Sequence, residues 1–134
     1  MKPDKVGEID VRIIKTLNLL IEPNTPIFLG ETNLEHMKKE HPKDFEKYGD
    51  RIVEILKNPD YISKHPKKNS MEYIKVFYDG LNNNYVLVAV RASKQGMYYA
   101  RTLFVMGKEK VRKYREKEAL LLINNKSHSP KGYG

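Results

Sequence analysis

Three segments of alternating side chains, separated by two turn sequences, constrain the fold of this chain more than any other feature. The segments are Tyr73 to Tyr78, Tyr85 to Ala92 and Met97 to Met106. A period of two residues is typical of β-strands, which β-branched and aromatic residues also favour. Residues 79–84 and 95–96 supply the asparagine and glycine that tight turns need. The pattern therefore predicts an antiparallel meander over residues 73 to 106.

Helical patterns dominate the residues before this meander. Apolar residues recur at three- and four-residue steps across residues 8 to 21, which predicts a first helix there. A second helix is predicted to begin with Thr32 as its cap and Glu35 as the partner in a capping box, and to end near His41. A third helix is predicted over about residues 43 to 57.

Shorter elements complete the predicted fold. Residues 27–29 and 61–62 predict small strands, and residues 108 to 117 predict a charged helix. The polar residues 124 to 134 are predicted to form a disordered tail. We therefore expect a single α+β domain over residues 1 to 123, with the N-terminal helices packed on one face of a roughly four-stranded antiparallel sheet.

Charge and composition narrow the classes of function. The chain has 134 residues, a net charge of +8 and an isoelectric point near 9.5. A positive charge of this size attracts polyanions, of which nucleic acid is the commonest. The alternative interpretation is a solvated lysine-rich surface without a binding role. The chain has no cysteine, which excludes disulfides and thiolate zinc sites and fits a reducing cytoplasm. No apolar run of about 18 residues occurs, so no membrane span or membrane partner is expected.

Two histidines on the second predicted helix are candidates for chemistry. His41 lies four residues from Met37 and seven from Leu34, so it is expected to share their inward face. His36 lies roughly 140° away around the same helix. Helical metal sites favour steps of three or four residues, so no metal site is predicted and the pair is assigned to proton transfer. The alternatives are a solvated surface position for His36 and a half-buried helix end for His41.

Aromatic and basic side chains interleave along the predicted strands. One face is expected to pack on the helices through five branched residues, which are Ile74, Val76, Val86, Val88 and Val90. The other face would then present rings for stacking on bases and cations for phosphates, as single-stranded RNA requires. Its candidate substrate-binding residues are Tyr73, Lys75, Arg91 and Tyr99. The alternative is an ordinary amphipathic sheet with a polar outer face.

Arg101 and Thr102 are the candidates on the last strand. Successive residues of a strand point to opposite faces, so the two are not expected to act on the same side. Arg101 could stabilise the charge on a pentacovalent phosphate, and Thr102 could bind a phosphate oxygen if its side is open. His65 lies in a basic loop, where a phosphate contact and an idle position are both open.

Four short motifs in order carry a resemblance to a known family. They are residues 34–42, residues 58–62, Val86 to Arg91 and Ala100 to Phe104. Over roughly residues 27 to 106 the chain resembles the phage-associated branch of the barnase–EndoU–colicin–RelE-like nucleases. The resemblance implies helices followed by a four-stranded antiparallel sheet and RNA cleavage without a metal or other cofactor. It also implies that catalysis depends on His41, with His36 beside it, and on Arg101 and Thr102. No strand glutamate matches the general base of barnase, because Glu72 only opens the first strand of the meander.

These observations together predict a cytoplasmic, metal-independent endoribonuclease, which would be a toxin or an RNase of a phage or mobile element. His41 or His36 would deprotonate the ribose 2′-hydroxyl, and cleavage would give a 2′,3′-cyclic phosphate. The expected partners are RNA, with tRNA as one candidate, and an antitoxin or immunity protein. The alternatives are a non-catalytic nucleic-acid-binding module and a protein-interaction module of a phage or mobile element.

Overall fold

A seven-stranded mixed sheet forms the centre of the molecule. The structure is a computed structural model, and it describes residues 2–123. The strands are β1 (Asp4–Ile9), β2 (Thr25–Leu29), β3 (Tyr61–Lys64), β4 (Ser70–Asp79), β5 (Asn82–Ala92), β6 (Tyr98–Val105) and β7 (Leu121–Leu122). The helices are α1 (Val11–Leu17), α2 (Glu31–Glu40), α3 (Pro42–Tyr48), α4 (Ile52–Lys57) and α5 (Lys108–Glu116), with a 3-10 turn (Gly49–Arg51) between α3 and α4.

The predicted meander is confirmed as strands β4, β5 and β6. These strands pair antiparallel in the middle of the sheet, whose order is β1-β2-β6-β5-β4-β3-β7. The expectation of about four antiparallel strands was too simple, because β2 and β6 pair in parallel and the sheet has seven strands in the described residues. The strands that the prediction missed are short and lie at the edges of the sheet, where alternation is weakest.

The N-terminal segment differs most from its prediction. Residues 8 to 21 were expected to be helical throughout, but Glu8 and Ile9 end strand β1. Helix α1 begins only after Asp10, whose carboxylate accepts hydrogen bonds from the backbone N–H groups of Arg12 and Ile13. This aspartate supplies the side-chain oxygen that a helix start requires. Ile9 is buried as the end of a strand, so its four-residue spacing from Ile13 only imitated a helical repeat.

The sheet is covered on both faces rather than on one. The larger core lies between the sheet and the helices α1, α3 and α4, and it includes Tyr73, Val86, Val88 and Val90. A smaller core on the other side packs Ile74 and Leu87 with residues of α5. The predicted grouping of Ile74 with the three valines was therefore wrong. Tyr73 pairs with Val88, and Ile74 pairs with Leu87, across β4 and β5. Side chains at odd-numbered positions of β4 therefore share a face of the sheet with those at even-numbered positions of β5.

Helix α2 stands beside the edge of β6. The parallel pairing of β2 with β6 covers only Tyr98 and Tyr99, so the rest of that edge is free for the helices that follow β2. Further along, the Val105 N–H donates to the Asp44 carboxylate of α3 at 2.9 Å. The expected cap Thr32 lies inside α2, because Gly30 is the cap and its N–H donates to the Asn33 side chain at 2.9 Å.

Three further expectations concern membrane spans, the third predicted helix and the C-terminal residues. Within residues 2–123, no helix has the length and apolar character needed to cross a bilayer. The third predicted helix is divided into α3, the 3-10 turn and α4. The predicted disordered tail, residues 124–134, lies outside the described residues.

Candidate functional site

A cavity of about 440 Å³ opens on the face of the sheet that carries α5. Helix α2, the loop between β3 and β4, and α5 surround it, while β4, β5 and β6 form its floor. Its polar and charged lining residues are Thr32, Asn33, His36, His65, Lys68, Ser70, Glu72, Arg91, Arg101, Thr102 and Lys110. Residues that lie far apart in the sequence therefore meet in one place.

A row of three paired residues crosses the floor of the cavity. Glu72 on β4 pairs with Ala89 on β5, which pairs with Thr102 on β6. Directly paired side chains on antiparallel strands have Cβ atoms about 4.5–5.5 Å apart. The methyl group of Ala89 is the smallest side chain in this row, so space remains between the carboxylate and the hydroxyl.

A β-bulge on β6 brings Arg101 to the same cavity as Thr102. Ala89 pairs with Thr102, but the next residue, Val90, pairs with Ala100, so Arg101 has no partner on β5. Bulges of this kind redirect a side chain from its expected face. The expectation that Arg101 and Thr102 act on opposite sides was therefore wrong, because both line the cavity.

Two arginines in the cavity form a cationic pair. Burial lowers the pKa of Arg101, and the positive charge of Arg91 lowers it further. The Arg101 Nη2 donates to the Ala92 carbonyl at 3.2 Å, while its Nε is buried without a hydrogen-bond partner. Neither arginine forms an ion pair with a carboxylate among residues 2–123. Adjacent cations with unused donors are suited to an anionic ligand.

Glu72 is the functional candidate that the sequence analysis missed. It lies inside β4 rather than at its opening, and only 5% of its surface is exposed. Its Oε1 accepts a 2.8 Å hydrogen bond from the Tyr114 hydroxyl of α5. Burial raises the pKa of Tyr114, and the bond to Glu72 raises it further, so the phenol remains the donor. The sequence signal that could have identified Glu72 is its position at the start of a predicted strand, where an acidic residue alternates with Ser70 and Ile74 on one face.

The three histidines within residues 2–123 separate into two that line the cavity and one that does not. His36 is exposed at the rim, on α2. His65 lines the cavity from the β3–β4 loop, and its Nδ1 accepts from the backbone N–H groups of Lys67 and Lys68 at 3.1 and 3.0 Å. Since one nitrogen of a neutral imidazole accepts and the other donates, this arrangement leaves the His65 proton on Nε2. His41 is outside the cavity lining, and its ring packs 5.3 Å from that of Phe104.

The predicted substrate-binding residues are also divided. Arg91 lines the cavity. Lys75 lies on the opposite face, where its Nζ donates to the Asn58 carbonyl at 2.9 Å. Tyr73 is fully buried in the larger core, so its ring is not available to a ligand. Tyr99 lines a second, adjoining cavity with Arg101.

Comparison with known proteins identifies the family of the chain. The family described as phage-Barnase-EndoU-ColicinE5/D-RelE like nuclease3 matches residues 4–113. The chain belongs to this nuclease family. The match confirms the resemblance noted in the sequence and extends it to strand β1 and helix α5. A search of curated proteins found no match, and a search of solved structures also found none.

Every residue that lines the cavity lies within the part of the chain that matches the nuclease family. A nuclease must bind a phosphodiester, and the cavity offers cations for that purpose: Lys68 and Lys110 join the two arginines in its lining. Among the residues described, no cluster of three or more His, Asp or Glu side chains has the geometry to hold a metal ion.

Proposed function

We propose that this nuclease is a metal-independent endoribonuclease that cleaves RNA by transesterification. The products would be a 2′,3′-cyclic phosphate and a 5′-hydroxyl. The observation that carries the proposal is the meeting of Arg91 and Arg101, which have no acidic partner in the described residues, with Glu72 and His36 in one cavity. Such a set holds both the cations that a phosphate needs and two groups able to transfer protons.

The phosphate is proposed to bind against the arginines. Negative charge grows on the non-bridging oxygens as the phosphorane forms, and fixed donors aimed at that charge are usually the largest contribution to catalysis. The guanidinium of Arg101 and the Nε2–H of His65 are suitable donors, since both residues line the cavity. The Thr102 hydroxyl can bind a further phosphate oxygen, in agreement with its place on the cavity floor.

Proton transfer is proposed to involve Glu72 and His36 in place of His41. An ionised carboxylate only accepts hydrogen bonds, and Tyr114 occupies one oxygen of Glu72, so the other can take the proton of the 2′-hydroxyl. The 2′-oxygen then attacks phosphorus, and the bond from phosphorus to the 5′-oxygen breaks. The 5′-oxygen takes a proton from the His36 imidazolium, which lies at the exposed rim and can be recharged from water.

An RNA-cleavage assay in the presence of EDTA tests this proposal. Wild-type protein is expected to cut RNA, to leave a 2′,3′-cyclic phosphate on the product and to spare DNA of the same sequence. The Arg101→Ala variant is expected to lose cleavage activity. Lys75→Ala, on the opposite face of the sheet, is the matched control and is expected to keep it. Binding of RNA without any product would support a non-catalytic binding module instead. Loss of cleavage on chelation would overturn metal independence.

A further inference from the structure

A second cavity adjoins the first and has no part in the mechanism above. It has a volume of about 460 Å³ and lies at the start of α2. Thr32, Asn33 and Arg101 line both cavities, so the arginine stands at their boundary. A phosphate bound at Arg101 would therefore have a cavity on each side of it.

Tyr99 gives the second cavity an aromatic surface next to that arginine. The guanidinium carbon of Arg101 lies 5.9 Å from the centre of the Tyr99 ring. The ring also packs on Phe28, with 6.2 Å between the centroids and an angle of 49° between the planes. Contacts with two neighbours restrict the orientation of the ring before any ligand arrives. A pre-oriented ring beside a phosphate-binding cation is the combination that stacks a nucleobase.

The charge of the second cavity favours a base over another phosphate. Glu31 lines this cavity and not the first one. Its carboxylate would repel a second phosphate close to the first. The neutral edge of a nucleobase meets no such penalty, and an amino group of that base can donate to a carboxylate. The remaining polar lining includes Ser93, whose hydroxyl can donate or accept.

We propose that the second cavity binds the nucleobase of one of the two nucleosides that flank the scissile phosphate, by stacking it on Tyr99. The proposal rests on the proposed function and deepens it, because it makes a dinucleotide unit the smallest substrate that fills the site. Arg101 holds the phosphate at the centre of that unit, and Tyr99 holds a base beside it.

The test compares a ligand that can place a base in the second cavity with one that cannot. One is a dinucleoside monophosphate with a 2′-deoxyribose on the 5′ side, which cannot be cleaved because the attacking hydroxyl is missing. The other is inorganic phosphate. Stacking on one aromatic ring contributes enough to change affinity by about 5- to 150-fold. The Tyr99→Ala variant is expected to lose that factor for the dinucleotide and to bind inorganic phosphate as wild type does.

The Tyr99→Phe variant is the matched control, because it keeps the ring, and it is expected to bind both ligands as wild type does. Equal losses for dinucleotide and phosphate in Tyr99→Ala would overturn the proposal, since they would mean that Tyr99 only supports Arg101. Unchanged binding of the dinucleotide would overturn it as well. Because neither ligand reacts, a protein that binds as expected but cleaves no RNA would refute the proposed function and leave the base subsite supported.

Discussion

Arg101 and Thr102 are consecutive residues of one strand, yet both line the same cavity. The bulge between the Ala89–Thr102 and Val90–Ala100 pairs leaves Arg101 out of the ladder and removes the usual alternation of faces. Arg101 keeps the face of Tyr99, which pairs with Arg91, and neither arginine forms an ion pair with a carboxylate in residues 2–123. One extra residue in the strand thus adds the Thr102 hydroxyl to the face that holds the two arginines.

Arg101 is expected to be needed for cleavage rather than for folding. Loss of one donor to a developing oxyanion typically lowers kcat about 100- to 1,000-fold, so Arg101→Ala is expected to fall in that range. Arg101→Lys keeps the charge but loses the planar fork of donors, and an intermediate rate is expected. Steady-state cleavage of a short RNA measures both. A wild-type rate for Arg101→Ala, with Lys75→Ala also unaffected, would remove Arg101 from the mechanism.

The two helix histidines are expected to behave differently when each is replaced by alanine. His36→Ala is expected to lose about 100- to 10,000-fold in rate, the usual contribution of a proton-transfer group. His41→Ala is expected to keep most of its activity and to have a lower melting temperature, because its ring packs on Phe104 outside the cavity lining. Rates and thermal unfolding measured on the same preparations decide the matter. The reverse pattern of rates would return the catalytic role to His41.

Glu72 is expected to act as a base, and its amide analogue isolates that role. Glu72→Gln keeps the shape and an oxygen that can accept from Tyr114, but it removes the negative charge. Cleavage is expected to fall about 100- to 10,000-fold with little change in thermal stability. Steady-state cleavage and thermal unfolding of the same preparation check both expectations. A wild-type cleavage rate in Glu72→Gln would contradict the assignment.

Tyr73, which is buried, and Tyr114, which is half-buried, are expected to respond in opposite ways to loss of the hydroxyl. Tyr73 Oη is buried without a hydrogen-bond partner, so Tyr73→Phe is expected to be neutral or to stabilise the fold by about 1 kcal/mol. Tyr114→Phe leaves the buried Glu72 without its donor and is expected to destabilise the protein by about 1.5–3 kcal/mol. Urea unfolding of the two variants checks the pair. Similar shifts in both would show that the Glu72 bond contributes nothing special.

The same tyrosines are expected to make the fold sensitive to alkaline pH. Burial raises the pKa of Tyr73 and of Tyr114 above the ordinary value of 10.0. Above pH 10 the unfolded chain therefore binds fewer of these protons than the native protein, and the free energy of unfolding falls as pH rises. Below pH 10 the contribution is fully present. Urea unfolding measured from about pH 8 to about pH 11, a range that spans the ordinary phenol pKa, is expected to show this loss. The double variant Tyr73→Phe/Tyr114→Phe should lose much less over that range.

Local sequence patterns were sufficient to predict the strands in the middle of the chain. Alternation and turn residues located β4, β5 and β6 to within a few residues, because period-two alternation and turn chemistry are properties of short segments. The last two residues of the short edge strand β1 were assigned to a helix, because Ile9 happens to precede Ile13 by four residues. The family was also recognisable from short motifs, and its match to residues 4–113 confirms that reading.

The sequence by itself determined that a basic α+β chain would carry a meander, a pair of helix histidines and several strand cations. Only the tertiary structure decided which of them meet. The alternation of side chains predicts which residues of one strand share a face of the sheet, but it does not predict which residues of the next strand lie beside them on that face. The pairing of Tyr73 with Val88 put Lys75 and Tyr73 on the core side, and the bulge at Arg101 brought Thr102 to the face of Arg101. Register and bulges depend on contacts between distant segments, so a local pattern holds no record of them.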